Sequence, residues 1–441
     1  MSPHTFRRTL LALAASISCA AHAQNLQDLY EAAKSYDATY LGARSQSDAT
    51  IAKADQSNLL PTISLGASVS RSSINPFPFT PDKRLYGTQS ATLSATQPLY
   101  RPATLASYQQ GQVLYDQARV QLAQAEQDLM IRVSQAYFDV LGAQDSLALV
   151  KAQKAANAEQ LAAAKRNFEV GTATITDTHE AQARYDLTLA QEIATENDLS
   201  VKRLALITIV GKPQVDPKPL KGPAVLADLK PADMQAWVDQ AIDNHPNVLL
   251  SQMALTTAQY EVDKATAGHK PTLDAVLSYG PVRNIGGTGS SASSSDTHYN
   301  AGSVGINFNL PLFAGGATQG RVRETLALEE QARTNLEAAR RGVTQSTRSA
   351  YLGVLSGKSQ VKALEAAEAS SQSALDSNKL GYQVGVRINI DVLNAQSQLF
   401  QTRRDLAKAR YDLLMADLKL KQASGALKPQ DIEGINVLLA K

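Results

Sequence analysis

The chain has 441 residues, with 43 Lys+Arg against 41 Asp+Glu, and this near balance excludes an electrostatic case for nucleic-acid binding. Its one cysteine, Cys19, lies close to the N-terminus, so the rest of the chain has no disulfide and no thiolate chemistry. Aromatic residues make up only 5% and Ala, Gln and Leu dominate, a composition that suits helices packed side by side more than a thick globular core.

Arg7-Arg8, the apolar run from Leu10 to Ile17 and the small-x-small step Ala21-His22-Ala23 read as a signal peptide over 1–23, with the mature chain starting at Gln24. Ser16, three residues before Cys19, makes a poor lipoprotein cleavage site. Removing Arg7 and Arg8 with the leader leaves equal numbers of basic and acidic residues. No later stretch approaches the roughly 20 apolar residues of a membrane helix.

The mature sequence says nearly the same thing twice. At a shift of about 214 residues, Ala136-Tyr137 falls on Ala350-Tyr351, Val170-Gly171 on Val384-Gly385, Asp177 on Asp391, and Gly211 on Gly425. The divisions that follow are a first repeat over 24–211, a proline-bearing linker over 212–230, a second repeat over 231–425 and a tail over 426–441. The period is too long for a stacked solenoid unit, so each copy is a large structural unit.

Each repeat opens with a helical segment, about Asn25 to Asn58 and about Pro231 to Gly268. Strict alternation then predicts hairpins: Thr62–Ser70 with Thr88–Gln97, and Leu273–Tyr279 with Val304–Leu310. The connecting loops are Asn75–Asp82, marked by Pro76, Pro78 and Pro81, and the Gly/Ser tract Gly286–Ser295. Each strand has one apolar face and about the ~9–11 residues needed to cross a bilayer. Four strands cannot close alone in lipid, so several chains must share one barrel. Alternation by itself also fits the half-buried strands of a soluble sheet.

After the hairpins, Pro98-Leu99-Tyr100 and Pro311-Leu312-Phe313 give way to two stretches without proline, 103–212 and 312–428. These predict very long helices, the first from about Ala103 to Glu169, or ~100 Å at ~1.5 Å per residue. Gly171 and Gly385 suit helix C-termini. Asp177 with Glu180 offers an N-cap pattern for the helix that follows and runs to about Val210.

Leu60-Pro61-Thr62, Gln97-Pro98-Leu99-Tyr100, the Ala-Tyr of each long helix, and Tyr382-Gln383-Val384-Gly385 followed by Asp391-Val392-Leu393 recur in this order across essentially the whole mature chain. In this respect the sequence resembles the TolC-like outer membrane channels of tripartite efflux pumps and type I secretion systems. The resemblance implies an α+β membrane protein: a homotrimer sharing an antiparallel β-barrel, four strands per chain, above a periplasmic α-helical coiled-coil barrel. It implies a passive conduit in the outer membrane of a Gram-negative bacterium. Its partners would be outer membrane lipid, a periplasmic adaptor protein and an inner-membrane ABC or RND transporter. The competing reading is a periplasmic coiled-coil structural or adaptor protein without a pore.

The resemblance also assigns roles. Asp391 would form an acidic ring at the pore entrance, weakened because Asn394 stands where the family often has a second Asp; without the family, Asp391 reads as a helix N-cap. Thr176 and Asp177 in the first repeat, with Tyr382 and Arg387 in the second, would link the helix pairs of a closed gate. Arg387 reads otherwise as a solvated surface charge. Val170-Gly171-Thr172 and Val384-Gly385-Val386 would receive the adaptor, although both glycines are already explained as helix terminators. Trp237, the sole tryptophan, would pack at an equatorial collar. His179, His245, His269 and His298 lack metal-ligand spacing, and no phosphate loop or Ser or Cys nucleophile motif occurs, so neither an enzyme nor a cofactor is expected.

Overall fold

The computed structural model describes residues 24–55, 59–74, 84–222, 229–287 and 295–439. The leader, the Asn75–Asp82 loop, most of the Gly/Ser tract and Pro223 of the linker lie outside them. In chain order the elements are α1 (Leu26–Tyr36), α2 (Ala38–Ala54), β1 (Thr62–Ile74), β2 (Arg84–Tyr100), α3 (Pro102–Glu169) and α4 (Ile175–Val210). The same succession then repeats as α5 (Met234–Asn244), α6 (Pro246–Thr266), β3 (Thr272–Ile285), β4 (Thr297–Asn309), α7 (Ala317–Gln383) and α8 (Asn389–Ala423), and a short α9 (Pro429–Asn436) follows. Two compact units divide these elements, and each draws on both halves of the chain.

One unit, Gln46–Gln121 with Leu249–Ala339, contains the sheet. Its four strands are antiparallel in the order β1-β2-β3-β4. Leu65 pairs with Leu93, Leu93 with Tyr279, and Leu277 with Val304, so one face is apolar across all four strands. That face is bare: Val69 and Val304 are 81% and 84% exposed. The opposite face carries a row of hydroxyls, one per strand, from Ser64 through Ser94 and Ser278 to Ser303. Oγ–Oγ contacts of 2.8 Å and 2.7 Å join the first and last pairs of that row. The strands run 13 to 17 residues, longer than the alternation predicts. Backbone pairing continues into Arg71-Ser72-Ser73 because a ladder needs no apolar side chains once it leaves the apolar span. At the bulge between Pro98 and Tyr100, Arg101 makes a two-pronged contact with the buried Asp274, both distances 2.6 Å.

The other unit comprises Met1–Ser45, Leu122–Val248 and Arg340–Lys441. Its core joins Tyr30, Tyr137, Phe138, Leu206, Leu414 and Ile432. The duplicated Ala-Tyr step has a structural meaning: Tyr137 donates its hydroxyl to Lys218 O in the linker and Tyr351 to Ala232 O at the start of the second repeat, so the two pin the chain on either side of that junction. Trp237 packs against Tyr351 and Leu413 and donates Nε1 to Pro231 O at 2.8 Å.

Each opening segment, expected as one helix, is broken once. The breaks fall at Asp37 and His245, whose extended backbones cap the first short helix, and in the second repeat Pro246 starts the next one. Asp37 accepts from the Tyr40 amide at 2.8 Å and from both ends of the Arg132 guanidinium at 2.8 and 2.9 Å. The Arg132 hydrogen bonds hold the Asp37 carboxyl below the usual carboxylate range. A lowered folded-state pKa gives stability that is present above the unfolded value, near ~3.9, and lost as pH falls through the folded one. Asp37→Asn is therefore expected to lower the melting temperature at pH 7 and to flatten its fall below about pH 4. An acid limb as steep as that of the parent chain would detach Asp37 from it.

Candidate functional site

The two turns that end the long helices share one backbone design. Gly171 and Gly385 both adopt φ of 78°, Thr172 N donates to Asn167 O at 2.8 Å, and Val386 N donates to Gly381 O at 2.9 Å. This is the αL termination that glycine permits at low cost. A Cβ built on either glycine would meet nothing within 4 Å. Around them Val170, Val384, Val386 and Ile388 are 62–80% exposed, and Thr172 is exposed as well.

The helix starts after these turns differ, and the difference lies in one residue. In the first repeat Thr174, not Asp177, is the N-cap: Thr174 Oγ1 accepts from Asp177 N, and the Asp177 carboxylate accepts from Thr174 N at 2.9 Å. Asp177 is the third helical residue of a capping box, so its charge is spent on the helix start. The residue that matches Thr174 is Ile388, which has no side-chain oxygen, and no side-chain cap forms there. Asp391 is therefore not a cap. Its carboxylate is 34% exposed and lies 3.5 Å from Arg387 Nη1. Such an exposed pair contributes about 0–1 kcal/mol, too little to neutralise Asp391 permanently.

Contacts between the repeats cluster just beyond the turns. Tyr382 accepts from Asn167 Nδ2 at 3.2 Å, and Asn394 accepts from Arg184 Nη2 at 2.8 Å. Deeper in, Gln396 donates to Asn157 Oδ1 at 2.9 Å, while Asn157 donates to Thr188 Oγ1 at 2.7 Å and to Arg184 O at 3.3 Å. Asn157, Thr188 and Gln396 are all buried, and Leu161, Ala164, Ala181 and Leu393 pack as an apolar layer nearby. Of the four expected link residues, Tyr382 bridges the repeats, Thr176 is exposed, and Asp177 and Arg387 bond within their own turns. Asn157, Asn167, Arg184, Thr188 and Gln396 escaped the sequence reading. The available signal was polar residues in apolar seams, such as Asn157 between Val150 and Leu161 on α3.

The model of the outer membrane efflux protein family matches residues 22–212 and 237–426. The chain belongs to this family. It is 33% identical over 427 residues to the outer membrane protein TolC of Vibrio cholerae, covering 96% of this chain and 95% of the relative. It is 33% identical over 360 residues to the alkaline protease secretion protein AprF of Pseudomonas aeruginosa, covering 80% of this chain and 73% of that protein. Its fold matches the solved outer membrane protein VceC of Vibrio cholerae with a TM-score of 0.76 at 18% identity, covering 91% of this chain and 96% of VceC. The chain is thus an outer membrane channel of the efflux and secretion type. A pore-free periplasmic coiled coil has no counterpart among these relatives.

Proposed function

We propose that three copies of this chain form a passive exit duct, fed by an inner-membrane ABC or RND transporter through a periplasmic adaptor. The observation that carries the trimer is the open sheet. β1 and β4 are edges, every residue of β4 is exposed, and one face carries an apolar band across all four strands. In hydrocarbon each unpaired backbone group costs several kcal/mol, so the edges must be closed by further copies. Three copies give a twelve-stranded barrel lined by the Ser64-Ser94-Ser278-Ser303 row. Leu189, Ile193, Val201 and Leu204 form an exposed apolar stripe along one face of α4, which neighbouring copies would cover.

The leader over 1–23 directs export, and the repeats over 24–211 and 231–425 give the tube its quasi-sixfold periodicity. Val170-Gly171-Thr172 and Val384-Gly385-Val386 receive the adaptor, supported by exposed valines and the open space around both glycines. The protein carries out no chemistry of its own. The transporter selects the cargo, since a hydroxyl-lined barrel offers little discrimination.

Asp391 supplies an acidic ring at the pore entrance and Arg387 partly masks it. The opposite charges give opposite expectations in planar bilayers. Asp391→Ala should move the reversal potential in a salt gradient toward anion permeability, and Arg387→Ser should move it toward stronger cation preference. If neither variant changes the reversal potential, the pair lies off the conduction path. If the purified protein gives no conductance steps at all, the duct itself is in question.

A further inference from the structure

The apolar face of the sheet changes character at one level. From Leu273 it runs along β3 through Ala275, Leu277 and Tyr279, and Phe308, Ile306 and Val304 of β4 pair with the first three. Beyond Pro281 the same face becomes polar: Arg283 pairs with Gln89 on one side and with His298 on the other. Arg71 on β1 lies on that face too, one rung nearer the loops than Val69, which pairs with Gln89. Arg71, Gln89, Arg283 and His298 are all exposed, and among the described residues their side chains have no hydrogen-bond or ion-pair partner.

Strand geometry sets the depth of this row. Arg283 follows Leu273 along β3 by a stretch of about 33 Å at ~3.3 Å per residue, or about 25 Å along the membrane normal at a strand tilt of ~40°. That is the height of the apolar band on a membrane barrel. The row therefore stands at one edge of the hydrocarbon, where an arginine facing lipid is tolerated, and not at the midplane, where it is costly. Its charge is also uncompensated by the sheet. Of the two carboxylates among the described hairpin residues, Asp274 is held by Arg101 at the opposite edge, and Asp296 accepts from the Gly286 amide at 3.0 Å. The loop-side edge is thus cationic at the level where a bilayer places its headgroups.

We propose that Arg71, Gln89, Arg283 and His298 form a seat for the phosphorylated headgroup of an outer-leaflet lipid. Arginine grips phosphate with paired N–H donors, and Gln89 and His298 flank Arg283 on the neighbouring strands with further N–H groups. Arg71 stands two strands away and one rung along, roughly 12 Å from Arg283 by strand spacing and rise. Two cations at that separation suit a headgroup with two phosphates better than one with a single phosphodiester. Lipid A, the disaccharide lipid of the Gram-negative outer leaflet, has a phosphate at each end. The seat rests on the reading of the sheet as a barrel wall with its apolar face to lipid and its hairpin loops outward, and it gives that wall a specific lipid partner.

The test is titration of the full, detergent-purified protein with lipid A in mixed micelles, followed by microscale thermophoresis and by thermal unfolding. Saturable binding and a melting temperature that rises until saturation are expected. Monophosphoryl lipid A should bind severalfold more weakly, and the lipid stripped of both phosphates at least tenfold more weakly. Arg283→Gln should weaken lipid A binding at least tenfold. Arg71→Gln should bind lipid A and its monophosphoryl form with nearly equal affinity, and it carries the test if Arg283→Gln does not fold. Equal binding of the phosphorylated and phosphate-free lipids, or parent affinity in both variants, would overturn the seat. Displacement of lipid A by inorganic phosphate would mark a free-ion site and overturn it as well. Failure of the barrel reading is seen separately, because it removes the conductance steps of the parent protein, whereas failure of the seat leaves them in place.

Discussion

Replacing Asn157 with leucine is expected to raise closed-state conductance in planar bilayers severalfold and to lower the melting temperature. Asn157 is 3% exposed and joins three helices, accepting from Gln396 on α8 and donating to Thr188 and to the Arg184 carbonyl on α4. Leucine fills nearly the same volume and satisfies none of these groups. The Gln396 amide, itself 3% exposed, loses its acceptor in a place water does not readily reach. An orphaned buried polar group costs about 1–3 kcal/mol. If opening parts α8 from α3 and α4, that cost falls on the closed state alone. A shift of about 2 kcal/mol changes an open-to-closed ratio by roughly 30-fold. The double variant Asn157→Leu with Gln396→Leu provides the internal control, because removing both partners of a buried hydrogen bond can be nearly neutral. Conductance that rises in the single variant and returns toward the parent value in the double one would place this link in the gate. A lower melting temperature with unchanged conductance would make it a structural contact only.

The weight carried by Asn157 was harder to read from sequence than the architecture around it. The strands are visible because Ile63, Leu65, Ala67 and Val69 alternate with Thr62, Ser64, Gly66 and Ser68, a period that only a pleated backbone produces. The helix turns are visible because glycine recurs at matching positions. The short-helix breaks at Asp37 and His245 are less legible, since a capping aspartate and a histidine before Pro246 are weak signals beside a continuous helical pattern. The links between repeats are hidden for another reason. Which polar residue meets which depends on how α8 lies against α3 and α4, and the partners are separated by some 210 to 240 residues. The charge difference between the turns was legible in principle. Thr174 and Ile388 occupy the same place in the two repeats, and only one of them has an oxygen to cap with.

The four duplicated glycines divide into two kinds, and alanine at each should separate them. Gly211 and Gly425 end α4 and α8 at φ of 75° and 69°. A Cβ at Gly425 would lie 2.7 Å from Asn244 O and 2.9 Å from His245 Cα, and one at Gly211 would lie 2.3 Å from the Tyr36 ring. Both press on the break between the two short helices of a repeat. Gly425 meets backbone there, which has little room to yield. Gly425→Ala combines a left-handed conformation, about 1–2 kcal/mol for a residue with a Cβ, with an overlap of about 1–3 kcal/mol. A loss of about 2–5 kcal/mol follows, read as a large fall in melting temperature. Gly171→Ala and Gly385→Ala carry the conformational cost alone, since open space surrounds both. They should lower stability by only about 1–2 kcal/mol. Equal losses at all four positions would show that conformation, not contact, governs them. If the expected order holds and Gly385→Ala still impairs transport in cells while its conductance is normal, the space beside Gly385 is filled by another protein during transport. A glycine beside the short-helix break then answers to its own chain, and a glycine at the turn to the partner that docks there.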